Sequence, residues 1–347
     1  MADDSGLFFK KGGFACERKW LGGLYRRDDN TFFFNACIVF QIQRLLPYFN
    51  EEQQSIALSI VQDMEKSHLL YRNKDGHSSY NFWQTNPSQH FPGGYLARHL
   101  KFFMIPDDID DSALVHLSFE HSIAERESLF QKAATYAIGT LKLPDLPVKG
   151  YEHLFPFNTF FVKNMPAAFD VCALSNFLYF VMKYRLPHNN HVRDSIACIA
   201  LCIKQKDYLK RPYEVSPYYP KTALIIYHIT RILSDWNISE LEGFKHSFIN
   251  DILVLLEEAK QNSVHHLLLH ICLLRLGITP KYLITNISDK DKKDFAFFVA
   301  GILGEVKPIW LRSMAHYGIT HITYHCSAYA EMLWIEYLCL LRSQQSK

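Results

Sequence analysis

The sequence predicts an all-α protein, and three observations carry that expectation. Helix-length apolar segments follow one another from residue 30 to residue 342, and strand-like alternation is nearly absent. Segments apolar almost all round alternate with amphipathic, charged ones. The first kind is seen at Phe32-Phe33-Phe34, Ala173 to Met182, Ala223 to Ile232, Leu267 to Leu276 and Ala330 to Leu341. The second is seen at Glu51 to Tyr71 and Phe244 to Lys260. Helices apolar all round are buried and amphipathic ones face solvent, so an inner set paired with an outer set is expected. A double ring of this kind is a single-domain α/α toroid. No short fixed-period repeat favours a solenoid instead.

In chain order, residues 1–27 read as an irregular N-terminal arm with glycine pairs at Gly12-Gly13 and Gly22-Gly23, and 28–347 as the toroid domain. Helices are expected over 30–49 and 51–71. Turn-forming residues make 73–94 a loop, and a short helix is expected over 95–103. Further helices are expected over 110–121 and 124–141. After the proline-rich stretch from Pro144 to Pro156 come helices at 167–185, 190–206, 219–235, 244–260, 263–276, 291–303 and 326–342.

Composition excludes several classes. With 26 Phe and 19 Tyr the chain has ample material for a core, and a net charge of +2 offers no basic face for nucleic acid. No window of about 18 residues is free of charge and polar breaks, so no transmembrane helix is expected. The nearest candidate, Val264 to Ile278, is interrupted by His265, His266, His270 and Arg275. The N-terminus lacks the pattern of a secretory signal. Eight cysteines without a CxxC pair read as reduced packing residues of a cytoplasmic protein. The oligomeric state is left open.

In a double ring the inner helices run parallel, so their N-termini gather at one rim. The residues there are Asp28-Asp29-Asn30, Asp108 to Asp111, Asp170, Tyr218-Tyr219, His265-His266 and Tyr324-His325. Tyr and His are poor N-caps, so capping alone does not account for the last three groups. An apolar cavity with convergent ionisable groups is the default site. The most concentrated stretch is Ile105-Pro106-Asp107-Asp108-Ile109-Asp110-Asp111-Ser112. A helix N-terminus accounts for one or two carboxylates, but four in five residues repel one another and favour a raised pKa. Asp110, with acidic neighbours on both sides, is the expected proton holder, and Asp107 is expected to pair only with surface charge. Asp110 and Asp170 open consecutive inner helices, which places their carboxyls about 6 to 10 Å apart. That separation suits an acid and base flanking a glycosidic bond, or an acid and its hydrogen-bonding support.

Asp108-Ile109-Asp110-Asp111-Ser112-Ala113 resembles the DxDD motif of class II terpene cyclases, whose domains are α/α toroids. The resemblance implies an isoprenoid cyclase of the isomerase or lyase type. Asp110 would be the general acid, supported by Asp108 and Asp111, in an aromatic cavity. Asp170 is a further candidate catalytic carboxylate. Asp29, Arg98, Tyr218, Tyr219, Lys221 and His325 are candidate substrate-binding residues, with Lys101 and Lys210-Arg211 as further basic groups for a diphosphate. No resident cofactor is implied; magnesium enters only with a diphosphate substrate. Asp170-Val171-Cys172 is similar to the DxC zinc ligands of protein prenyltransferase β subunits, with Tyr324-His325-Cys326 similar to their ligating histidine. Asp170 and His325 open the third and sixth inner helices, on opposite sides of the ring. Metal bonds near 2 Å do not span that gap, so zinc is not expected. The alternatives are a glycoside hydrolase or related carbohydrate enzyme using Asp110 and Asp170, and a non-catalytic toroid that binds a ligand or partner.

Overall fold

A computed structural model of the chain describes residues 13–92, 94, 97–100, 104–140, 148–162, 167–258, 263–301 and 317–345. The protein is mostly helical and carries one four-stranded antiparallel sheet. A hairpin opens it, β1 (Cys16–Trp20) and β2 (Tyr25–Asp29). The helices α1 (Phe33–Leu45), α2 (Glu51–Glu65), α3 (Ile109–Ser118), α4 (Ile123–Thr135), α5 (Val171–Lys183) and α6 (Asn190–Gln205) follow. Two single turns, α7 (Asp207–Lys210) and α8 (Pro212–Val215), lead to α9 (Thr222–Asp235). Next come α10 (Ser239–Glu242), α11 (Lys245–Glu258), α12 (Val264–Arg275) and α13 (Asp289–Asp294). Strands β3 (Ala296–Gly301) and β4 (His321–His325) and the long helix α14 (Ser327–Gln345) complete the chain.

Burial divides most helices as their periodicity predicts, but α14, expected to be buried, buries only seven of its nineteen residues. Every residue of α3 is buried, whereas α2 buries only Ala57 and Met64, and α11 only Phe248 and Ile252. The buried helices pack in sequence, α1 on α3, α3 on α5, α5 on α9, α9 on α12 and α12 on α14, and α14 returns to α1. Each has a solvent-side neighbour: α2 on α1, α4 on α3, α6 on α5, α7 on α9, α11 on α12 and α13 on α14. Local chemistry explains the helix starts. Asn50 with Gln53 and Ser122 with Glu125 form capping boxes at α2 and α4, and Asp108 and Asp170 cap α3 and α5. At α12 the cap is Ser263, which receives the His266 N–H, so the neighbouring histidines have no capping task.

The all-α expectation is corrected by the sheet, whose order is β2-β1-β4-β3. The expected irregular arm contains β1 and β2, joined through Gly22 and Gly23 at φ +65° and +97°. Those positive φ angles are what glycine permits, and the glycine pair between two runs is a hairpin signal. The helix expected over 291–303 is the short α13 followed by β3, where Phe297, Phe298 and Val299 suit a strand better than a helix. The short helix expected over 95–103 lies largely outside the described residues; within it, 97–99 form a single 3-10 turn.

The N-terminal ends of the buried helices share one side of the molecule, and the segment 295–298 lies among them. Phe33 and Phe34 of α1, Tyr219 ahead of α9 and Tyr329 of α14 all meet Phe297, and His265 of α12 meets Phe295. Tyr219 reaches Asp110 in the first turn of α3, and Asp170 at the start of α5 accepts the Tyr218 N–H.

Candidate functional site

The four carboxylates of the acidic stretch have three different settings. Asp107 accepts from Asn73 Nδ2 at 2.5 Å, Ser79 Oγ at 2.6 Å and Asn81 Nδ2 at 3.1 Å, with Lys132 Nζ at 3.5 Å. It ties the 73–81 loop to the start of α3 and is buried, which corrects the expectation that it pairs only with surface charge. Asp108 is the N-cap of α3 and accepts the Asp111 N–H at 2.7 Å. Its carboxyl meets that of Asp111, and both are buried. Burial, then the Asp110 charge, push Asp108 up to about 7. Burial and the adjoining Asp108 raise Asp111 well above the carboxylate range. Two touching buried carboxyls cannot both ionise cheaply, so the pair retains a proton.

Asp110 points elsewhere. Its Oδ1 accepts from Asn176 Nδ2 of α5 at 2.5 Å, and its Oδ2 accepts from the Tyr219 hydroxyl at 2.5 Å. Arg231 of α9 in turn donates to Asn176 Oδ1, so the amide relays the guanidinium to the carboxyl. Burial raises the Asp110 pKa; the Tyr219 and Asn176 bonds and the Arg231 charge oppose it, and burial prevails. The expected repulsion is present as well, since the Asp110 charge raises Asp108 and Asp111, but the hydrogen bonds of Asp110 go to Asn176 and Tyr219 and not to its neighbours. Aromatic faces surround this carboxyl's partner: Tyr219 lies 6.4 Å from Phe33, 5.6 Å from Phe297, 6.3 Å from Phe298 and 4.8 Å from His228, centroid to centroid. A buried acid of raised pKa whose hydroxyl partner lies among aromatic rings can donate a proton and leave the resulting cation near π-systems.

Asp170 is saturated with donors. It accepts from Cys172 N at 2.8 Å, Ala173 N at 3.3 Å, Ser216 Oγ at 2.7 Å and Tyr218 N at 2.9 Å. Burial nonetheless pushes it up to about 7, against those bonds and with the Asp110 charge adding to the rise. Asp170 therefore both caps α5 and fastens the Tyr218-Tyr219 dipeptide that serves Asp110.

The remaining predicted residues are dispersed. Asp29 is wholly buried, paired with the equally buried Arg18, and accepts from Trp83 Nε1 and Thr31 N at 3.1 Å each. It locks β1 to β2 and to the loop at 83. The Tyr218 ring meets Phe160 edge-on at 5.5 Å. His325 ends β4, with Nε2 2.8 Å from Thr323 Oγ1 and Glu17 and Ala296 as strand partners. Burial, then Lys19, lower its pKa to about 4. Lys221 and Arg98 are exposed, the latter donating to His99 at 3.0 Å. Arg211 is engaged by Asp207 and Glu214, and Lys210 by the Gln205 carbonyl; Lys101 lies outside the described residues. Among the described residues no group of three or more His, Cys, Asp or Glu side chains is arranged to hold a metal ion. Cys172 lies beside Ser216, at 3.3 Å from its hydroxyl.

Sequence reasoning missed Asn176, Arg231, Phe297 and Phe298. For the first two a signal existed: an amide and a guanidinium inside helices otherwise apolar all round need partners, and buried polar groups find them. No protein-family model, curated protein or solved structure matches this chain.

Proposed function

We propose that the chain is an α/α-toroid enzyme in which Asp110 acts as general acid on an isoprenoid-like substrate, in the manner of a class II terpene cyclase. One observation carries the reading: Asp110 is a buried carboxyl with a raised pKa, bonded by Asn176 and by Tyr219, whose ring lies among Phe33, Phe297 and Phe298. The closed circuit of buried helices with a helix outside each supports the toroid architecture. In this reading Asp110 gives its proton to a terminal alkene or epoxide, and Asn176, held by Arg231, takes up the negative charge left behind. The Asp108–Asp111 pair is a neighbouring store of protons. The substrate is a small apolar molecule met in the cytoplasm, where the eight buried free cysteines remain reduced. Among the described residues no helix is long and apolar enough to cross a membrane.

The carbohydrate reading is weaker, because Asp170 spends its oxygens on four donors and neither carboxyl faces an open polar cleft. The non-catalytic reading draws on a specific feature, the Phe297 ring packed against Phe33, Phe34, Tyr219 and Tyr329. The deciding experiment incubates wild type and Asp110→Asn with prenyl diphosphates, uncharged polyprenes, their epoxides and oligosaccharides. Cyclised prenyl products from wild type alone support the proposal. Equal product profiles from both proteins, or turnover of oligosaccharides only, overturn it.

A further inference from the structure

We propose that β3 is a displaceable strap whose Phe297 and Phe298 occupy the seat of an apolar ligand beside Asp110. The inference rests on the reading of Asp110 as the reacting group and adds how that group is reached. Register supplies the first argument. Ala296 pairs with His325 and Phe298 with Tyr324, so Phe297 is an extra residue, a β-bulge. Successive strand residues ordinarily face opposite sides, and a bulge re-aims one of them. Here both phenyl rings are buried inward: Phe297 against Phe33, Phe34, Tyr219, His228 and Tyr329, and Phe298 against Phe33, Phe34, Phe82 and Tyr324.

The second argument is attachment. Among the described residues β3 pairs only with β4, and the Val299 N–H also donates to the Tyr218 carbonyl at 2.9 Å. Tyr218 gives its own N–H to Asp170, and Tyr219 gives its hydroxyl to Asp110. The strap is thus fastened to the same dipeptide that serves both carboxyls, so lifting it disturbs the Asp110 environment directly. The walls it leaves are phenyl and phenol faces and the His228 ring, with a single acid–hydroxyl pair among them. An uncharged, unsaturated hydrocarbon chain fits that lining, whereas a sugar or a charged head group does not.

The test uses the full chain, with the C15 prenyl alcohol farnesol as probe. Hydrogen exchange resolved by peptide is expected to show 296–301 opening about tenfold or more faster than 321–325, and faster still with farnesol, while the β1–β2 pairing is unchanged. Phe297→Ala removes the ring without removing the strand and is expected to bind farnesol about tenfold more tightly than wild type, since less of the affinity is spent on opening. Phe297→Leu should fall between the two and covers the case in which the alanine variant does not fold. A common exchange rate for β3 and β4 with and without farnesol overturns the proposal. So does equal farnesol affinity in wild type and the Phe297 variants, or no binding to any of them. Neither hydrogen exchange nor farnesol binding requires a proton transfer from Asp110. Failure of the acid reading therefore shows in turnover alone, and failure of the strap shows in exchange and affinity.

Discussion

The two ends of the buried helices carry opposite charge and treat it differently. At the N-terminal end stand Asp29, Asp108, Asp110, Asp111 and Asp170; toward the C-terminal end stand Arg44, Arg231 and Arg275. Asp110 and Asp111 in the first turn of α3, and Arg44 and Arg275 in the last turns of α1 and α12, agree with the helix dipole, which favours anions at the first turn and cations at the last. The cations find partners. Arg44 meets Asp235 at 2.8 Å, and Arg275 pairs with Glu336, which also accepts from Tyr227 at 2.9 Å. Burial opposes the Arg275 charge, and Glu336, Tyr227 and Asp235 together outweigh it. Burial likewise raises Asp235, and Arg44, Tyr179 and Arg275 together outweigh that, leaving it below the usual range. At the other end, among the described residues, Asp108, Asp110, Asp111 and Asp170 form no ion pair, and all four are displaced upward by burial. Burial thus gives a structural lock where an ion pair forms and a cluster of raised carboxyls where none does.

The contrast is broken most severely at the paired end. Glu336→Ala strands Arg275 and the Tyr227 hydroxyl in the interior and is expected to cost about 3–5 kcal/mol in urea unfolding, with little effect on any titration at the other end. At the unpaired end, Asp110→Asn should keep the fold by circular dichroism and lose about 100-fold or more in turnover, the range attributed to general acid catalysis. A stability loss in place of the activity loss would make Asp110 a structural residue like Glu336.

Asp108→Asn sharpens the comparison through pH. The folded protein holds the Asp108 proton up to about 7, whereas an unfolded aspartate releases it near 4. Its contribution to stability is therefore fully present below about pH 4 and is lost as pH rises through 7. Asn remains a good cap and cannot ionise, so the variant should match wild type near pH 4 and exceed it at pH 8, on the order of 2 kcal/mol. A gain of the same size at both pH values would trace to packing and not to charge. The smallest effects belong to Arg98→Ala and Lys221→Ala. Both side chains are exposed, and both variants should lie within about 0.5 kcal/mol of wild type by thermal unfolding. Their turnover should stay within about twofold unless the substrate carries an anionic group that reaches them.

Much of this molecule is written in local pattern. Runs such as Ala223 to Ile232 are apolar nearly all round and favour burial, and Asp108 and Asp170 mark the starts of such helices because their oxygens suit the free N–H groups there. The inner and outer sets and the acidic helix starts were therefore legible from spacing alone. The sheet was not. β1 is paired with β4 at Glu17 and His325, across almost the whole chain, and five-residue strands rich in charge carry almost no periodic signal. Nor was the fate of each carboxyl legible. Asp110 is bonded by Asn176 and Tyr219, 66 and 109 residues away, while its neighbours Asp108 and Asp111 meet each other and are raised by its charge. Periodicity reports whether a residue is buried, because burial follows the helix face. Which buried acid keeps its proton depends on the donors and charges that distant segments bring to it, and only the tertiary structure brings them.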